Sequence, residues 1–190
     1  MEPASNADTA GNGATHRIEV KLQTVQQLFN SMDPSPFHER DLDHDAEQFI
    51  VGWAQEYPIR TPLRLVVHLG QPPEKSGPKA DLAESIHHYF AYRAEMNMRE
   101  FHQLMREGWV SLFIGLAFLA ACVSVAHTLV VWLGRSNSET VIREGLTIIG
   151  WVAMWRPLEI YLYRWWPIRH LGKVYRKLSE IPVEVRVAAA

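Results

Sequence analysis

The densest group of side chains with chemical potential lies between residues 38 and 45. His38, Asp41 and His44 supply nitrogen and oxygen donors of the kind that bind zinc or manganese. Such a site would make the chain a metal-dependent enzyme or sensor with a divalent metal as its cofactor. Acids in this position also suit the start of a helix, where they cap free amide groups and face the positive end of the helix dipole. Because the spacing matches no established metal motif, we expect capping and no cofactor, with metal binding as the alternative.

A second pair of ionisable side chains, Arg156 and Glu159, lies within an otherwise apolar segment. Residues three apart on a helix face the same side, so the two can pair. Charged groups inside a membrane are costly and often mark a transport pathway or an assembly contact. We expect an ion pair or a contact with a partner protein, and the alternative is an oligomeric transport component.

Composition and motifs exclude several classes of protein. The 190 residues carry a formal net charge of −2, which gives no general positive field for nucleic acid. The single cysteine, Cys122, excludes an intramolecular disulfide and a thiolate zinc site. The sequence contains no phosphate-binding loop, no nucleophile elbow and no dinucleotide-binding fingerprint. We therefore expect a protein that is not an enzyme and does not bind nucleic acid.

The longest apolar segment, residues 109–133, contains no Asp, Glu, Lys or Arg. As a helix it would be about 37 Å long, enough to cross a hydrocarbon core of about 30 Å. Trp109 and Trp132 lie near its ends, where aromatic rings prefer the headgroup level. The segment predicts a first transmembrane helix.

Residues 145–163 form a second, weaker candidate span, because Arg156, Pro157 and Glu159 interrupt it and the proline is expected to kink the helix. Residues 134–144 would form an external loop. Basic residues are more frequent before the first span and after the second than in this loop, which places both termini in the cytoplasm. Five of them are expected at the membrane surface against anionic headgroups: Arg164, Arg169, Lys173, Arg176 and Lys177.

The remaining segments predict a small cytosolic domain at residues 16–107, after a disordered N-terminus at 1–15. Alternating apolar residues indicate strands near Ile18–Leu22 and Leu63–Leu69. A helix is expected after Asp43, with Ala46, Phe49, Ile50, Trp53 and Tyr57 on its buried stripe, and a long helix at 80–107. Residues 164–190 would contribute a basic segment and a third strand, near Ile181–Val187, which returns to the same sheet.

The predicted fold class is therefore an α+β membrane protein. It combines a two-helix transmembrane hairpin with a small cytosolic α/β domain of about three strands and two or three helices.

Two segments carry a resemblance to a known family. They are Asp33-Pro34-Ser35-Pro36-Phe37, continued by Asp41-Leu42-Asp43, and the run from Gly150 to Glu159, GWVAMWRPLE. The chain thereby resembles an uncharacterised family of small bacterial two-span membrane proteins. The resemblance implies a multi-pass protein of the bacterial inner membrane and no particular chemistry. We expect an accessory, scaffold or regulatory subunit whose partners are the lipid bilayer and either another membrane protein or a second copy of itself.

Overall fold

The computed structural model describes residues 15–30, 40–71, 78–133 and 137–187. The chain divides into two compact units. Met1–Met96 and Leu171–Ala190 form the first, called the α/β unit, and Asn97–His170 form the second, called the helical unit. In chain order the elements are β1 (His16–Leu22), a 3-10 helix (Val25–Leu28), α1 (His44–Glu56), β2 (Leu63–Leu69), α2 (Pro78–Leu133), α3 (Asn137–Ala153), α4 (Trp155–Glu159), a π-helical segment (Ile160–Arg164), α5 (Trp165–Leu178) and β3 (Val183–Val187).

The α/β unit contains a sheet of three parallel strands in the order β1-β2-β3. Leu65 of the central strand is level with Ile18 of β1 and Val183 of β3. Leu65, Val66 and Val67 are each fully buried, and successive strand residues face opposite sides, so both faces of β2 are covered here. The prediction of a mixed helix and strand fold, in which the C-terminal strand joins the first two, is confirmed.

Helix α1 begins as predicted, because the Asp43 side chain accepts a hydrogen bond from the amide of Asp45 at 3.1 Å. Its buried residues are Glu47, Ile50, Val51 and Ala54, of which Ile50 was predicted. Three other residues of the predicted stripe are partly buried against the core: Ala46, Trp53 and Tyr57. Phe49, predicted to be buried, is 42% exposed. The apolar pattern missed Glu47, because a search for apolar residues passes over a carboxylate at a buried position.

Helices α2 and α5 complete the core of the α/β unit. Phe90 of α2 is fully buried and its ring stacks on Tyr175 of α5, with centroids 6.4 Å apart. Leu178 is also fully buried in this cluster. The core is thus built from segments that precede and follow the helical unit in sequence.

Helix α2 does not end at residue 107 as predicted but continues to Leu133. A glycine inside a helix costs only about 1 kcal/mol relative to alanine, so Gly108 need not terminate it. A Cβ at Gly108 would lie 3.1 Å from side-chain atoms of Ile160 and Tyr161. The glycine therefore marks a close helix contact rather than a helix end.

Small residues of α2 face the segment that returns antiparallel to it. Gly108 lies against Ile160, Gly115 against Ala153 and Met154, and Gly150 against Leu119 and Cys122. Partner numbers fall as numbers along α2 rise, which defines the antiparallel direction. The spacing of Gly108, Gly115 and Cys122 is seven residues, so all three lie on one side of α2.

The returning segment is broken near Pro157, as expected. Proline has no amide hydrogen, so the Ala153 carbonyl cannot accept the usual hydrogen bond from residue 157. Helix α3 ends at Ala153, a turn follows at Met154, and Ile160–Arg164 adopt a π-helical conformation. A Cβ on Gly115 would lie 3.0 Å from that same Ala153 oxygen, so α2 approaches the backbone of the returning segment closely at the break.

One prediction about the apolar segments needs correction, and another is confirmed only in part. Residues 134–144, predicted to form a loop, are helical from Asn137 onward. Among the described residues one helical stretch, Leu82–Leu129, is long and apolar enough to cross a membrane, and only 17% of its most apolar window is buried. Residues 145–163 do not form a second continuous helix of this kind, so the two-span hairpin is not confirmed.

Candidate functional site

The predicted metal site is not assembled among the described residues. His38 lies outside them, whereas Asp41 and His44 are both exposed. The Nε2 atom of His44 lies 3.0 Å from the side-chain nitrogen of Gln48, one turn further along α1. Within the described ranges no group of three or more His, Cys, Asp or Glu side chains could hold a metal ion. Metal binding by His38, Asp41 and His44 stays a prediction.

The most concentrated polar arrangement of the α/β unit instead surrounds Glu47, on the buried side of α1. Its side chain is 10% exposed and lies between α1, α2 and α5. Tyr89 donates a hydrogen bond to Oε2 at 2.9 Å, and Tyr175 donates one to Oε1 at 3.1 Å. The Nε atom of Arg93 donates to Oε1 at 2.7 Å. We call Glu47, Tyr89, Arg93 and Tyr175 the Glu47 cluster.

Spacing within each helix positions the members of this cluster. Tyr89 and Arg93 are one turn apart on α2, so both point toward α1. Arg93 also donates from Nη2 to the Tyr175 hydroxyl at 3.2 Å, and its guanidinium lies 5.3 Å from the centre of the Tyr175 ring. A buried carboxylate is stable only when charged and polar partners replace its water, and three donors do so here.

The electrostatics keep both tyrosines in their hydroxyl form. Burial raises the pKa of Tyr89, and the hydrogen bond to Glu47 and the negative charge of Glu47 raise it further. Burial and the charge of Glu47 likewise raise the pKa of Tyr175. Burial disfavours the charged form of Arg93, but Glu47 and the two tyrosines together outweigh this effect and the pKa of Arg93 rises.

The arrangement is suited to holding helices together rather than to moving protons. Both oxygens of Glu47 are engaged, and the two phenols are poor proton donors in the physiological range because their pKa values lie above the ordinary value of about 10. The Glu47 cluster joins three helices from distant parts of the sequence, because donors on α2 and α5 bind one carboxylate on α1.

Sequence reasoning missed this cluster, although one signal was present. Glu47 falls at helical spacing with Ile50, Val51 and Ala54, so a carboxylate lies in an apolar stripe. A charged residue at such a position needs a buried partner. Nothing in the sequence identifies that partner, because Arg93 and Tyr175 reach Glu47 only through the tertiary fold.

Arg156 and Glu159 lie together in α4 as their spacing predicts. The Nη1 atom of Arg156 is 3.8 Å from Oε2 of Glu159, and the two side chains are 57% and 40% exposed. This separation exceeds the usual length of a hydrogen bond. The pair is a loose electrostatic contact that leaves most guanidinium donors available.

The five basic residues predicted at the membrane surface differ in their surroundings. Arg164, Arg169, Lys173 and Arg176 are exposed, and the guanidinium of Arg169 lies 5.9 Å from the centre of the Trp165 ring. Lys177 instead donates a hydrogen bond to the Pro58 carbonyl at 3.3 Å within the α/β unit. Burial there lowers the pKa of Lys177.

The chain was compared with protein-family models, with curated proteins and with solved structures, and none of the three comparisons gives a match. The resemblance to small bacterial two-span membrane proteins stays a prediction.

Proposed function

We propose that the chain is a multi-pass protein of the bacterial inner membrane that acts as a non-enzymatic accessory, scaffold or regulatory subunit. In this proposal the α/β unit lies in the cytoplasm and is presented to another membrane protein or to a second copy of the chain. The helical unit anchors it in the bilayer.

The pairing of β3 with β2 is the observation that carries this proposal. These strands precede and follow the helical unit in sequence, yet they are neighbours in one sheet. If the apolar segment of α2 at residues 109–133 crosses a bilayer, the chain must cross back before it can supply β3. The segment from Asn137 to Arg164 is the part of the chain available for the return.

The surface of the helical unit supports a lipid environment. Large apolar side chains are exposed both on α2 and on the returning segment, including Phe113, Ile114, Trp151 and Trp155. A soluble protein rarely leaves such a surface open to water. The excess of basic residues outside the two apolar segments favours cytoplasmic termini.

The Glu47 cluster supports a structural rather than a catalytic role for the α/β unit. Its carboxylate accepts hydrogen bonds from both other helices of the unit's core. A rigid domain that ties the segment before the membrane to the segment after it is suited to presenting a binding surface.

Membrane integration and topology provide the first test. Alkaline carbonate should leave the protein in the membrane fraction, and reporter fusions at Gly134 and after Ala190 should report outside and inside respectively. Release by carbonate would contradict the anchor. A C-terminal reporter on the outside would contradict the return crossing and the shared sheet together.

Crosslinking in native membranes, followed by mass spectrometry, tests the accessory role. We expect reproducible crosslinks to a second membrane protein, weakened by Arg156→Gln and unaffected by the control Arg164→Gln. Recovery of the chain alone, with no crosslink even to itself, would contradict the role. Crosslinks only between copies would limit it to self-association.

A further inference from the structure

A groove of about 780 Å³ lies within the helical unit. One wall is a single stripe of α2, in which His102, Arg106, Val110 and Ile114 recur every four residues. Arg156 and Ile160 contribute from the returning segment. The groove therefore lies between two antiparallel parts of one unit.

Polarity changes along the groove. Arg106 and Glu107 line one part, whereas Val110 and Ile114 line the next two turns of α2. The distance from Arg106 to Ile114 along the helix axis is about 12 Å. The apolar part belongs to the segment that is free of acidic and basic residues, and the polar part comes immediately before it. On the α2 wall this change from charged to apolar matches the boundary between lipid headgroups and acyl chains. Arg156 faces that wall from the returning segment, between the residues that contact Gly108 and Gly115.

The charges on the wall are mixed. Arg106 and Arg156 bring two guanidinium groups, whose paired N–H donors suit the oxygens of a phosphate. Arg156 keeps donors available because its contact with Glu159 is 3.8 Å long. Glu107 adds a carboxylate to the same wall. A ligand that satisfies all of these groups carries both a phosphate and a cation with N–H donors.

We propose that the groove binds a membrane phospholipid with an ethanolamine headgroup. Arg106 and Arg156 hold its phosphodiester from the two walls, Glu107 accepts hydrogen bonds from its ammonium group, and an acyl chain lies along Val110 and Ile114. The proposal rests on the membrane location proposed above and adds a particular lipid to it.

Other common headgroups fit the same charges less well. A glycerol headgroup leaves Glu107 beside a phosphate with no cation between them. A choline headgroup has a cation without N–H donors, so it cannot donate hydrogen bonds to the carboxylate. Glu107 is therefore the residue that selects the lipid, and the two arginines supply binding common to all phospholipids.

Native mass spectrometry of the full chain, delipidated in detergent, tests the proposal with three synthetic lipids that share the same acyl chains. The phosphatidylethanolamine should bind at least about tenfold more tightly than the phosphatidylcholine and the phosphatidylglycerol, a difference of about 1.4 kcal/mol. Glu107→Gln should remove this preference, and the control Glu144→Gln should keep it. Equal or tighter binding of the phosphatidylglycerol by the unaltered chain would overturn the proposal.

The arginines are tested with two kinds of variant. The double variant Arg106→Gln, Arg156→Gln should lose binding of all three lipids, whereas the control Arg143→Gln, at an exposed position outside the groove, should not. If the double variant does not fold, Arg106→Lys with Arg156→Lys keeps the charge and should bind more weakly through the loss of paired donors. Full retention of lipid by the lysine variant would count against guanidinium recognition of the phosphate.

Two further measurements separate this proposal from the membrane location. Phosphoethanolamine without acyl chains should not compete with the lipid, and effective competition would indicate a soluble ligand instead. Carbonate extraction of the same preparation reports integration independently. A chain that is integrated but shows no headgroup preference overturns the groove assignment alone, whereas a chain that carbonate releases overturns the membrane location as well.

Discussion

Large apolar side chains are buried in the α/β unit, whereas many of them are exposed in the helical unit. In the α/β unit Leu65 and Phe90 are fully buried. In the helical unit Phe113 and Trp155 are 67% and 69% exposed, whereas Gly115 and Gly150 are buried at the helix contact. Large apolar residues outside and small residues between helices are typical of proteins whose solvent is lipid. The contrast is what the membrane location proposed for the helical unit requires.

The largest expected difference in stability concerns a leucine-to-alanine substitution made once in each unit. Leu65→Ala should lower the free energy of unfolding of the α/β unit by about 3–4 kcal/mol, because it leaves a cavity under the sheet. Leu116→Ala, at a position 53% exposed, should change stability by less than about 1 kcal/mol. Pulse proteolysis in urea of the micelle-solubilised protein measures both. Equal losses would mean that the surface of the helical unit is packed against protein.

The second expected effect concerns the buried charge of the α/β unit. Glu47→Gln should cost about 2 kcal/mol, because the neutral amide leaves Arg93 without its anionic partner and cannot accept from all three donors. Glu56→Gln, at an exposed position near the end of α1, is the matched control and should have little effect. Chemical unfolding followed by circular dichroism measures the difference. An unchanged unfolding midpoint for Glu47→Gln would show that the Glu47 cluster does not stabilise the fold.

A smaller effect is expected at the helix contact of the helical unit. Gly115→Ala should cost about 1–2 kcal/mol, because the new methyl group meets the Ala153 carbonyl oxygen at 3.0 Å and the backbone must shift. Gly145→Ala meets nothing within 4 Å and should be neutral or slightly stabilising. Thermal unfolding in the same detergent compares the two. A neutral Gly115→Ala variant would show that the helices do not need this close approach.

The smallest effect is the dependence of stability on high pH. Because the pKa values of Tyr89 and Tyr175 are raised in the folded chain, their contribution is complete below about pH 10, where unfolded tyrosine keeps its proton. It is lost progressively as the pH rises from about 10 toward the higher folded values. Unfolding free energies measured across this range should fall, and less steeply in a Tyr89→Phe, Tyr175→Phe double variant. If the free energy of unfolding falls with pH equally steeply in the variant, Tyr89 and Tyr175 are not the cause of the pH dependence.

The sequence predicts the parts of the fold that depend on local patterns. Strand alternation near Ile18 and Leu65 and the cap at Asp43 are readable because burial and hydrogen bonding involve neighbouring residues. The continuation of α2 through Gly108 was missed, because glycine is typical both of helix ends and of close contacts between helices. Only the positions of Ile160 and Tyr161 decide between the two.

The candidate site is less predictable for a related reason. His38, Asp41 and His44 attract attention because they are close in sequence, whereas Glu47, Arg93 and Tyr175 meet from three separate helices. The single readable sign is a carboxylate in the buried stripe of α1. Its partners follow from the packing of α2 and α5, which no local pattern specifies.

The order of the strands has a consequence for biosynthesis. Ribosomes make β1 and β2 early, but the second edge of β2 stays unpaired until β3 has been made, after both apolar segments. During that interval Leu65 and Val67 lack part of their cover, and a chain that stalls there presents an open strand edge to chaperones and proteases. Completion of the sheet therefore requires that the segments between β2 and β3 have been synthesised.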